Sequence, residues 1–225
     1  MKVLIVAPHA DDETLAMGGT IARHVADGDE VTVAVMTGHG PEKHPIWPSE
    51  LWEEIRAEAR QAFDILGVHH IVFEELPAVM VADIPVWEVN KVTQRVLKEN
   101  RPDCLYVPFP FDLHKDHREM FHSFSVAWCP VSDWGRAIRE IYCYEVLSET
   151  HLNIPYAESG FLPNTWVDIG PFLSTKLSAL KCFESQLGEF PNPRSLEAIE
   201  ALARWRGSQA HMEAAEAFVQ VRQLR

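Results

Sequence analysis

Two short segments of this 225-residue chain concentrate side chains able to hold a metal ion and move protons. The first is Pro8-His9-Ala10-Asp11-Asp12-Glu13. The second is Phe111-Asp112-Leu113-His114-Lys115-Asp116-His117. Together they offer imidazoles and carboxylates but no thiolate, which suits a borderline divalent cation. Two histidines and one carboxylate, with a fourth position open to water, form a common catalytic zinc arrangement. Iron, cobalt or manganese fit the same donors. Asp11 and Asp12 are adjacent, so their side chains diverge. If one binds metal, its neighbour can face the open position as a general base. His114 and His117 lie three apart and, at the entrance of a helix beginning near Arg118, can face one way. Asp116 is placed to orient His114 and keep it protonated, so that His114 stabilises an oxyanion or donates a proton. Helix capping is the competing explanation for Asp11, Asp12 or Asp116. It accounts for single carboxylates, but not for two such segments each following a strand.

The elements that must position these segments alternate along the chain. Val3 to Ala7 is a continuous apolar run, as in a strand buried on both faces. Thr14 to Ala26 has helical spacing and ends near Gly28. Glu30 to Met36 alternates like a strand, and a loop with Gly38, Gly40, Pro41, Pro45 and Pro48 follows. Ser49 is a candidate cap for a helix running to Leu66 and stopped by Gly67. His70 to Phe73 reads as a third strand, Pro85 to Asn100 as a helix, Asp103 to Pro108 as a fourth strand and Ile141 to Leu147 as a fifth. Trp166 to Ile169 is a candidate further strand. Phe172 to Leu187, Ser195 to Arg206 and Met212 to Gln223 read as helices. This alternation predicts an α/β fold: a Rossmann-like, mostly parallel sheet with helices on both faces and an elaborated C-terminal third, residues 1–225 forming one domain. In such sheets ligands bind beyond the carboxyl ends of the strands. The two His/Asp segments follow the first and fourth strands, so both are expected at one edge.

Composition excludes several function classes. The net charge is -13 and no basic run is present, which argues against a nucleic-acid partner. No apolar run approaches the ~18 residues of a membrane span. Cys104, Cys129, Cys143 and Cys182 are widely spaced, suggesting neither a zinc ribbon nor a disulfide framework. The apolar run after Met1-Lys2 is too short for a signal sequence, so a cytoplasmic location is expected. Other polar residues are read more plainly. His39 and His44 belong to the loop after the second strand, as substrate contacts or solvated side chains. Trp47 and Trp52 are expected to pack the helix start rather than stack on a sugar. His69 and His70 read as structural. His151, Asn153, Tyr156 and Asn164 are candidates to shape a pocket. Arg194 and Arg206 are candidate anion contacts whose default expectation is exposure. Leu177, Leu180 and Phe183 share a helical face and read as core.

The segment Pro8 to Leu15, followed by Gly18-Gly19, resembles the first motif of the PIG-L/LmbE-like family of zinc-dependent de-N-acetylases. His114-Lys115-Asp116-His117 resembles the second. Arg56, Glu58 and Leu66-Gly67, then Lys176, Ser185-Gln186, Arg206-Gly207 and Ala215-Glu216-Ala217-Phe218, extend the resemblance along nearly the whole chain. Ala10 and Lys115 depart from it, since many members have proline at both positions, and neither supplies a ligand. The resemblance implies hydrolysis of an N-acetyl group on an amino sugar, such as an N-acetylglucosamine unit, its glycoside or its nucleotide-sugar. It implies that His9, Asp12 and His117 bind zinc, that Asp11 is the general base, and that His114, oriented by Asp116, stabilises the oxyanion or acts as acid. It also implies that Arg56 contacts substrate. Family members often assemble as trimers or hexamers, which leaves a homo-oligomer open.

Three other readings compete. A metal-dependent amidase acting on a thiol-conjugate or other acylated amine would share the site. A nucleotide-binding domain would need a Gly-x-Gly-x-x-Gly turn after the first strand, where His9 and Asp11 stand instead. A non-catalytic metal-binding or scaffold protein would need neither Asp11 nor His114. The ligand assignment makes a separable prediction: Asp11→Ala keeps its metal and loses most turnover, whereas His117→Ala loses both. Metal analysis that finds His117→Ala fully loaded overturns it.

Overall fold

The computed structural model describes residues 1–40, 44–154 and 157–225; Pro41 and Tyr156 lie outside them. A seven-stranded sheet runs through the molecule in the order β3-β2-β1-β4-β5-β7-β6. Its strands are β1 (Lys2–Ala7), β2 (Glu30–Gly38), β3 (His70–Pro77), β4 (Cys104–Pro108), β5 (Glu140–Tyr144), β6 (Thr165–Asp168) and β7 (Ala215–Gln223). The first five in chain order pair in parallel. The connecting helices α1 (Asp12–Ala26), α2 (Ser49–Leu66), α3 (Val86–Asn100), α4 (Lys115–Ala127), α5 (Asp133–Ala137), α6 (Leu173–Leu180) and α7 (Leu196–Gln209) include members on both faces. The pleat divides the strands between two cores. Val3, Ile5 and Ala7 join α1, α2 and α6 on one side, while Leu4 and Val6 join α3 and α4 on the other. The mostly parallel α/β fold expected from the alternation of elements is the one observed. No helix among the described residues is long and apolar enough to cross a membrane.

Local expectations fail where tertiary partners override propensity. Ser49 does not cap α2: Pro48 occupies the cap position in extended conformation, and no side chain satisfies the cap. Gly67 does end α2, at φ 77°, a left-handed conformation that glycine adopts without a Cβ clash. The stretch Phe172 to Leu187 is helical only from Leu173 to Leu180. Beyond it, Glu58 of α2 captures both the amide and the hydroxyl of Ser185, at 2.9 and 2.6 Å. The stretch Met212 to Gln223 is not a helix. From Ala215 it forms β7, antiparallel to both β5 and β6. Alanine and glutamate favour a helix locally, but hydrogen bonding on both sides of a strand slot outweighs that preference.

Strand β7 also fixes the helix that starts the site. Helix α1 breaks its ladder at Met17, where φ is -142° and ψ is 26°. The Glu216 carboxylate accepts the amides of Gly19 and Thr20 just beyond the break, at 3.0 and 2.6 Å. Lys176 Nζ donates to the same carboxylate at 2.6 Å and to the Ala16 carbonyl at 3.3 Å. One buried ion pair therefore serves donors and an acceptor around the kink. Close approach requires glycine at position 19, because a Cβ there would lie 2.7 Å from the Ile169 side chain. Glu216→Ala strands a buried ammonium and leaves amides unpaired. It is expected to cost about 3–5 kcal/mol in urea denaturation; a loss under ~1 kcal/mol would show that the pair does not hold the kink.

Candidate active site

Strand order changes direction between β1 and β4, which pair with Ile5 opposite Tyr106. Their carboxyl ends therefore open onto one crevice. After β1, the chain makes a tight turn in which the His9 carbonyl accepts the Asp11 amide at 3.1 Å, and Asp12 opens α1. After β4, His114 stands at the cap position of α4. The structure brings His9, Asp11, Asp12, His114, Asp116 and His117 into one cluster.

The donor atoms meet at the Asp12 carboxylate. Asp12 Oδ2 lies 3.3 Å from His9 Nδ1 and 3.1 Å from His117 Nε2. Each imidazole is held from behind by a different carboxylate. His9 Nε2 donates to Asp116 Oδ2 at 3.0 Å, and His117 Nδ1 donates to Asp112 Oδ2 at 2.8 Å. These bonds leave the opposite ring nitrogens free to act as ligands. Asp12 Oδ1 and His117 Nε2 are buried without a hydrogen-bond partner among the described residues. His9, His114 and His117 also offer ring nitrogens within 4.8 Å of one another. Buried, unpartnered N and O donors beside an ionised carboxylate fit a divalent transition metal.

Electrostatics separate the two neighbouring aspartates. Burial acts to raise the Asp12 carboxyl, but His117 and His9 outweigh it and hold the group well below the usual range. Asp11 is buried as well and is pushed up to about 6, with Arg194 opposing the rise. Asp11 lines a pocket of about 410 Å³, together with His9, His114, Arg56, Arg194, Ser185, Gln186 and an apolar wall. Arg194 Nη1 reaches Asp11 Oδ2 at 3.0 Å. Arg56 also lines the pocket, with its guanidinium 2.6 Å from Glu75.

The role expected of Asp116 changes. Its carboxylate does not touch His114; it binds His9 and accepts the amides of Val79 and Val81 at 2.6 and 3.3 Å. His114 instead accepts the Asp116 backbone amide at Nδ1, 3.2 Å away, which places its own proton on Nε2. Burial, then the neighbouring His9 and His117, act to lower the His114 imidazole to about 4. Val79 adopts φ 59°, a left-handed conformation that a β-branched residue rarely takes and that costs ~1–3 kcal/mol. The strained residue sits where its amide meets Asp116, and it lines the pocket.

Other readings of single residues sort as follows. Trp47 and Trp52 line the pocket as well as packing the start of α2. His44 is buried and braces that wall, whereas His39 lies 3.8 Å from Glu75. Arg206 is buried against Glu145, which also binds His151 at 2.6 Å. Asn153 bonds the Phe111 carbonyl, and Asn164 accepts the amide of Gln220 in β7. Asp112 and Arg194 are the contributors whose place in this cluster sequence reasoning did not assign. Asp112 carried a readable signal, a carboxylate in the loop after β4, five residues before His117 in the first turn of α4. Arg194 was read only as a candidate anion contact expected to be exposed, and its partner Asp11 was not legible because only the fold brings the two together. Asp112→Ala is expected to weaken metal binding about 10–100-fold in a competition titration; unchanged affinity would remove Asp112 from the site.

The chain is similar to several known proteins. The family model described as PIG-L, GlcNAc-PI de-N-acetylase, matches residues 4–129, a span holding both His/Asp segments. The diacetylchitobiose deacetylase of Thermococcus kodakarensis is 28% identical over 202 residues, covering 84% of this chain and 71% of that enzyme. The solved N,N'-diacetylchitobiose deacetylase of Pyrococcus horikoshii superposes with a TM-score of 0.74 at 24% identity, over 97% of this chain and 83% of that one. The 4-carboxy-2-hydroxymuconate hydratase GalB of Pseudomonas putida KT2440 superposes with a TM-score of 0.77 at 20% identity, over 100% and 98%. A hydratase thus shares the fold, and the fold alone does not fix the reaction. With the family model matched across both His/Asp segments, the chain belongs to the PIG-L de-N-acetylase family.

Proposed function

We propose that the chain is a zinc-dependent hydrolase that removes an N-acetyl group from an amino sugar or its glycoside, releasing acetate and a free amine. One observation carries the reading: two imidazole nitrogens and a buried carboxylate converge beside a second carboxylate that lines the pocket. His9, Asp12 and His117 would hold the metal. Bound zinc supplies Lewis acidity and makes water a nucleophile near neutral pH. Asp11 takes a proton as water adds to the amide carbonyl carbon. His114 aims its Nε2 proton at the oxygen on which charge develops. The C–N bond then breaks as the proton taken up by Asp11 is returned, directly or through His114, to the nitrogen, which leaves as a free amine. Asp116 acts through His9, and Arg56 contacts the sugar at the pocket wall. The relatives named diacetylchitobiose deacetylase support an acetylated amino sugar as substrate. We read residues 1–225 as one domain, because β7 lies inside the sheet that β1 begins.

Free-amine release from N-acetylglucosamine glycosides tests the reading directly. Activity is expected to vanish with chelator and return with added zinc. Metal-loaded protein that turns over none of these substrates would overturn it.

A further inference from the structure

The pocket has two chemically different sides. His9, Asp11 and His114 form one. Trp47, Leu51, Trp52 and Ile55, from the turn before α2 and its first two turns, form another. The two indoles meet edge to face, with centroids 6.0 Å apart at 84°. His44 stacks on Trp47 at 5.1 Å and 22°. That imidazole is buried and fully engaged. Its Nε2 donates to the Ala78 carbonyl at 3.0 Å, and its Nδ1 accepts the amides of Ile46 and Trp47 at 3.3 and 3.2 Å. The aromatic wall is therefore tied to Ala78, the neighbour of Val79, whose amide holds Asp116. A wall fixed in this way offers a flat apolar surface at little ordering cost on binding.

The guanidinium groups of the pocket are already committed. Among the described lining residues they are those of Arg56 and Arg194, and no lysine is present. Glu75 holds Arg56 at 2.6 Å, and Phe73 lies beneath the guanidinium at 5.2 Å. Asp11 and Glu149 hold Arg194 at 3.0 and 3.5 Å. A phosphate or carboxylate entering here would have to displace one of these carboxylates and face the charge of Asp11. A neutral ring meets no such cost.

We propose that Trp47 and Trp52 form the subsite for the group attached to the acetylated sugar, and that it takes an uncharged ring with a flat apolar face rather than an anionic group. This rests on the deacetylase reading and narrows it. A second neutral pyranose, through its C–H face, or an aryl group carries the required chemistry.

The test compares kcat/KM for the methyl, phenyl, β-glucosyl and 1-phosphate derivatives of N-acetylglucosamine, in wild type and in Trp47→Ala. In wild type, the phenyl or glucosyl derivative is expected to exceed the methyl glycoside, and the 1-phosphate to fall below it. Which of the two rings does better separates an aryl from a sugar partner. In Trp47→Ala the ring-to-methyl ratio is expected to fall about 3–10-fold, mainly through KM, as loss of an aromatic contact implies. Trp52→Phe, which preserves the packing of a buried side chain, is expected to lower the ratio less. A preferred 1-phosphate, or a ratio unmoved in Trp47→Ala, overturns the proposal while leaving the deacetylase reading intact. If no derivative releases amine, that reading fails on its own. Binding of phenyl β-glucoside, followed by indole fluorescence in both proteins, then decides the subsite: quenching lost in Trp47→Ala supports it, and equal or absent quenching overturns it.

Discussion

A carboxylate removed from water must be compensated, and Asp12 is fully buried. Its surroundings answer this constraint. Two imidazoles face it, and each is backed by a further carboxylate, Asp112 or Asp116. That backing orients the rings but adds negative charge to a buried cluster. Asp11 and Arg194 offset each other at the pocket side. A divalent cation among Asp12, His9 and His117 would offset the rest, in keeping with the unpartnered atoms Asp12 Oδ1 and His117 Nε2.

The frame that brings these groups together is remote from them. Pairing of β1 with β4 sets the spacing of the two loops. The kink of α1 is held by Glu216 and Lys176, from elements late in the chain. The His9 ring is aimed by Asp116, which is itself held by the amides of Val79 and Val81 after β3. Strain at Val79 is thus one component of a network that keeps the imidazole in place. The strand-to-helix turns and the first turns of α1 and α4 carry these groups, and the sheet holds them in register.

How much of this was legible in the sequence follows from the range of the forces involved. The apolar run Val3 to Ala7 and the strand–helix alternation are local signals, and they located both His/Asp segments at one sheet edge. The actual partner of Asp116 was not legible, because His9 and Val79 reach it across long stretches of chain. Strand β7 was misread because Ala215-Glu216-Ala217 carries a helix-like composition, whereas its conformation is set by β5 and β6. Arg206 was expected to be exposed, yet Glu145 from the end of β5 makes its burial tolerable. The indoles of Trp47 and Trp52 were read as packing, and they pack while also facing the pocket.

The placement of β7 has a consequence for how the molecule is made. Strand β6 forms the rim of the sheet, and its neighbour in the strand order is β7, which emerges later from the ribosome. Five parallel strands can assemble while that segment is still being synthesised. Until it arrives, β6 has no ladder to join, and the amides of Gly19 and Thr20 lack the carboxylate that receives them. The brace of the crevice thus comes from the carboxyl-terminal side, and a chain stalled before Ala215 would carry both His/Asp segments without the carboxylate that sets the helix of Asp12.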